Sequence, residues 1–99
     1  MTEVRIGKYE HEREFAFSGH QDGERGRNIY CAAVSMIACS LMAAVADDGE
    51  LVGAESGDGV LRLRFRRTER TDAMADMAET GLELMRKKYG TVNIKKVEG

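Results

Sequence analysis

Apolar and polar residues alternate strictly over Val60-Leu61-Arg62-Leu63-Arg64-Phe65-Arg66, which puts Leu61, Leu63 and Phe65 on one face and Arg62, Arg64 and Arg66 on the other. A period of two predicts a half-buried strand. Shorter runs of the same kind predict strands over residues 4–9, 15–17, 51–55 and 91–97. The charged Glu10-His11-Glu12-Arg13 reads as the turn between the first two, and Gly57-Asp58-Gly59 as a hairpin turn. Two stretches change to helical spacing. One runs from residue 29 to about 45, with Asn28 as its N-cap. The other runs from about 71 to 89, where Met74, Met77, Ala78, Gly81, Leu84, Met85 and Tyr89 recur at three-four spacing and are expected in the core. Lys87 and Lys88 suit the negative end of that helix dipole, and Gly90 is placed as its C-cap. The order is ββαββαβ, rich in hairpins and without a regular βαβ alternation. It predicts an α+β fold: one domain over residues 1–99, a mostly antiparallel sheet of about five strands, and two helices on one face.

Composition narrows this little. The chain has 99 residues, 42% hydrophobic and 32% charged, with a net charge of −2. That suits a small soluble domain and gives no general reason to bind nucleic acid. Residues 29–46 carry no charge, which invites a membrane reading. The run is rich in alanine and serine and ends at Asp47-Asp48, so a small-residue helix buried against a sheet accounts for it better. Cys31 and Cys39 lie eight residues apart on that helix, about 12 Å along its axis and beyond disulfide reach. Free thiols point to the cytoplasm.

The chemistry concentrates in one stretch. Gly19-His20 closes the second strand, and Cys31 follows in the first turn of the first helix. Between them, Gln21-Asp22-Gly23-Glu24-Arg25-Gly26-Arg27 is polar with two glycines and suits a flap rather than a core element. Unpaired N–H groups and the positive dipole end of a helix favour a thiolate. An imidazole beside it can serve as ion-pair partner and as general base and acid. Backbone N–H groups around Cys31 and Ala32 can face an oxyanion. Asn28 can orient the imidazole or cap the helix. The plainer reading treats Cys31 as a buried core thiol. Cys39 is expected in the core, His11 on the surface, and the methionines as core filler. Neither cysteine–histidine combination has a metal-site spacing, and the chemistry needs no metal or organic cofactor. Arg62, Arg64 and Arg66 read as a solvated face. They also allow a non-catalytic ribosome-associated module that grips RNA or an acidic surface, while a redox-sensing Cys31 is a third reading.

Phe17-Ser18-Gly19-His20, the glycine-containing loop, and Asn28-Ile29-Tyr30-Cys31-Ala32-Ala33-Val34-Ser35 together resemble the bacterial ribosomal-processing cysteine protease family, Prp. That family pairs Gly-His and a Gly-rich loop with Asp-Ile-Val-Cys-Ala-x-Val-Ser. The resemblance implies a cysteine endopeptidase that removes the N-terminal extension of large-subunit ribosomal protein twenty-seven. It implies Cys31 as nucleophile, His20 as base, Gly19 permitting a tight approach, Ser35 supporting that face, and residues 21–27 closing on an extended peptide. It also implies a homodimer; no direct nucleic-acid contact is expected, in keeping with the net charge of −2. Two positions depart from the pattern: Asn28 stands for the family's Asp, and Tyr30 for its Val. Losing the carboxylate removes both an imidazolium stabiliser and a charge that opposes the thiolate. A diverged paralogue with another peptide substrate is the accompanying alternative.

Overall fold

The computed structural model describes residues 2–19, 29–57 and 59–99, and for 29–31 the backbone alone. The element order is β1 (Thr2–Lys8), β2 (Glu12–Ser18), α1 (Ile29–Asp47), β3 (Leu51–Gly57), β4 (Val60–Arg66), α2 (Glu69–Tyr89) and β5 (Val92–Glu98). The α+β class, the five strands and the ββαββαβ order agree with the sequence pattern.

The sheet, however, is mixed. Its strand order is β3-β4-β2-β1-β5, with three antiparallel pairings and one parallel pairing, β1 with β5. The cause lies in the connections. Since β4 is antiparallel to both β2 and β3, the path β2–α1–β3 joins two strands of the same direction. By the same logic β4–α2–β5 does so as well. Each is a βαβ crossover whose strands have other strands between them. Counting hairpins along the chain misses crossovers that skip neighbours.

One sheet face holds the core. Val4 and Ile6 of β1, Phe15 and Phe17 of β2, Leu63 and Phe65 of β4 and Val92 of β5 are buried against Val34, Ala38, Leu41 and Val45 of α1 and Ala75, Ala78, Leu82 and Met85 of α2. Phe15 stacks against both Phe17 and Phe65 with ring centroids 6.2 Å apart. The buried face of α2 is rotated from the expected one. Met77 is 79% exposed, and Leu84 and Tyr89 are also exposed. Small Ala75 and Ala78 and the flanking Thr71 and Leu82 take the inward stripe, because alanines let the helix approach closely. Gly90 does close this helix, at φ +63° with its N–H donating to the Arg86 carbonyl at 3.1 Å.

Arg13 is the largest departure from the expected pattern. It belongs to β2 rather than to a turn, and it is 1% exposed on the core face beneath α2. Its guanidinium reaches Asp76 at 3.0 Å, Glu79 at 3.4 Å and Asp72 at 3.5 Å. Arg67 clasps Asp72 at 3.0 Å and donates to the Tyr9 carbonyl at 2.8 Å, tying the start of α2 to the β1–β2 turn. On the open sheet face, Arg62, Arg64 and Arg66 pair with Glu14, Glu12 and Glu50 at 3.0, 3.1 and 2.9 Å. The arginine stripe is exposed, as expected of a solvated strand face, and each of its charges is matched by a carboxylate. No helix among the described residues is long and apolar enough to cross a membrane.

Candidate active site

The register places four features at one end of the sheet: the start of β1, the carboxyl ends of β2 and β3, and the start of β4. Ser18 pairs with Glu3 and Val60, and Val60 with Gly57, so β1, β2, β4 and β3 finish in line. Gly19 then leaves β2 at φ +101°, a conformation that L side chains rarely adopt, and its N–H donates to the Gly59 carbonyl at 3.2 Å. This glycine is required by its backbone, as a tight exit from the strand demands.

A hollow of about 270 Å³ opens at this end. Its walls include Ser18 and Gly19 of the strand end, Val34, Ser35, Ala38 and Cys39 of α1, and Gly57, Gly59, Val60 and Leu61 of the hairpin. The structure therefore brings Gly19 and Ser35 to one cavity. Cys31 is the third residue of α1, one helical turn before Ser35 and towards the helix N-terminus. Ala32 is exposed beside it. The expected base His20, the cap Asn28, the flap residues 21–27 and the turn residue Asp58 lie outside the described residues.

Cys39 is placed differently from expectation. It is an exposed free thiol at the wall of the hollow. The buried stripe of α1 runs Val34, Ala38, Leu41, Val45, and one residue beyond Ala38 turns the side chain about 100° away from the core. The hollow's far walls were also missed. Gly57, Gly59 and Leu61 are turn and strand residues to sequence reasoning, and nothing local says that their hairpin borders α1. A larger hollow, about 710 Å³, lies on the open sheet face among Arg5, Arg62 and Lys95. It stands on the side of the sheet away from α1, so the smaller one is the candidate site.

Across residues 1–95 the chain matches the family model described as cysteine protease Prp. The chain belongs to that family. Prp is a family of cysteine proteases, and this protein is a cysteine-type protease. No curated protein sequence matches it. Among solved structures, the chain is similar to the essential ribosomal processing protease Prp from S. aureus in complex with a covalently linked product peptide, with a TM-score of 0.79 at 17% identity. It is also similar to that S. aureus protease in complex with a substrate peptide, with a TM-score of 0.73 at 18% identity. Each comparison covers 100% of both chains, and together they show that this fold is the Prp fold.

Proposed function

We propose that this protein is a ribosomal-processing endopeptidase that removes the N-terminal extension of large-subunit ribosomal protein twenty-seven through a Cys31–His20 dyad. The observation that carries the reading is the family match over residues 1–95, supported by Cys31 in the first turn of α1 and by Gly19 leaving β2 at φ +101°. First-turn N–H groups without intrahelical acceptors stabilise the Cys31 thiolate, and an imidazolium at His20 adds to this.

The thiolate attacks the scissile carbonyl carbon, forming a C–S bond and an oxyanion that first-turn N–H groups hold. His20 gives its proton to the leaving amine as the C–N bond breaks, leaving a thioester. Neutral His20 then takes a proton from water, and the hydroxide attacks the thioester. The C–S bond breaks to release the acid and restore the thiolate. Asn28 orients or caps where the family pattern has Asp, and residues 21–27 close over the bound peptide.

The protein acts in the cytoplasm as a homodimer, and the exposed apolar Met36, Met77 and Leu84 of the helical layer offer surface that a second copy can cover. Purified protein mixed with a peptide spanning the ribosomal-protein extension should cut it once, and Cys31→Ala should abolish the cut. An uncut peptide, or a cut that survives Cys31→Ala, overturns the reading. A single-subunit mass by light scattering overturns the homodimer.

A further inference from the structure

The sheet has two edges, and they differ. β5, beneath α2, carries Lys95, Lys96 and Glu98, and Lys96 pairs with Glu79 of α2 at 3.0 Å. Charges of this kind keep foreign strands away from an edge. β3 lies on the α1 side and reads Leu51-Val52-Gly53-Ala54-Glu55-Ser56-Gly57, with Glu55 as its single charge. Its outer edge has no strand partner among the described residues. In an antiparallel pair, alternate residues of the edge strand turn their N–H and C=O groups outward.

Two further observations concern the end of β3 nearest the candidate site. Ala54, Glu55, Ser56 and Gly57 are all exposed, although Ala54 and Ser56 face the same side as the core residue Leu63 and its neighbour Leu61. The core therefore stops short beneath the last two turns of the pleat. The hollow, walled by Gly57, Leu61, Val34 and Ala38, opens at the carboxyl end of this stretch and meets β3 at Gly57. The strand also points the right way: its carboxyl end is joined through Val60 to Ser18, and through Gly59 to Gly19, which shares the hollow with Val34 and Ser35 of α1.

We infer that the free edge of β3 over residues 54–57 receives the substrate polypeptide as an added strand, whose alternate side chains descend into the hollow between the hairpin and α1. The occupant is an extended peptide because β3 offers main-chain groups in a row, which any sequence can pair, and a mostly apolar recess for alternate residues. Four residues of pairing span about 13 Å. They bring the peptide to the sheet end that holds Gly19. The inference rests on the protease reading and extends it to how the peptide is held.

The test is hydrogen exchange on full-length Cys31→Ala protein, with and without the ribosomal-protein extension peptide, run beside a cleavage assay of the wild type. We expect the outward-facing amides within residues 54–57 to exchange about tenfold more slowly with peptide bound, with those of β5 unchanged. Cleavage by the wild type without protection of β3, or with protection along β5 instead, overturns the edge assignment and leaves the protease standing. Protection of β3 without wild-type cleavage supports the edge and overturns the substrate reading. Neither cleavage nor protection overturns both.

Discussion

Arg13 is the residue that most changes how this chain is understood. A cation 1% exposed is tolerable only because Asp72, Asp76 and Glu79 surround its guanidinium. Removing it leaves a void beneath α2 and takes from Asp76 its partner, while Asp72 keeps Arg67 and Glu79 keeps Lys96. Arg13→Ala should lower the stability measured by urea unfolding by about 3 kcal/mol, the usual scale for a broken buried pair. Asp76→Asn should cost under about 1 kcal/mol, because Asp76 is the most exposed of the three carboxylates. At the proposed nucleophile the prediction is kinetic. In a Cys39→Ser variant, which removes the other exposed thiol, alkylation of Cys31 by iodoacetamide should already be independent of pH at neutrality. A rate still climbing steeply above pH 8 argues against a stabilised thiolate.

The two helices obey different rules. For α2 the start is Thr68, whose hydroxyl accepts from the Thr71 N–H at 3.1 Å while the Thr71 hydroxyl accepts from the Thr68 N–H at 2.8 Å. The familiar form of this capping box has Glu or Gln at the third position, so threonine there hid a helix start that lies before residue 71. Thr68→Ala should cost about 1 kcal/mol. The end, Gly90, was plain because a glycine after a basic turn has few other meanings. The inward face differs from the spacing's expectation, since apolar residues recur round much of this helix and Met77 and Leu84 stay outside while Leu82 and Met85 turn in. Leu82→Ala should therefore cost about 2–5 kcal/mol, and Met77→Ala less than about 0.5 kcal/mol, when the two are compared by thermal or urea unfolding. For α1 the uncharged run was correctly read as a helix against the sheet rather than a span, yet only one stripe of it is buried.

At the scale of the molecule, carboxylates bind the helical layer to the sheet, and this sets the response to acid. Asp72 is held below the usual carboxylate range, first by the hydrogen bond from Arg67 and then by the charges of Arg67 and Arg13. Glu83 is lowered chiefly by its hydrogen bond from Arg86. A carboxyl depressed in the folded state stabilises at pH values above its unfolded pKa, and that contribution disappears as pH falls through the lower folded value. The unfolding midpoint should stay level from neutrality down to near pH 4 and then drop, and Asp72→Asn should weaken the drop in a pH series. The class, the order of elements, the strand of strictest alternation and the family resemblance were all legible in the chain, because each depends on neighbours within a few residues. Periodicity, a cap and a motif are local matters. Which strands run parallel, which side of α2 turns inward, that Arg13 is buried, and that Gly57 and Leu61 wall the same hollow as Ser35 were decided by tertiary structure. Those facts depend on two crossovers that bring distant segments together, and side-chain size and charge settle there what a local pattern leaves open.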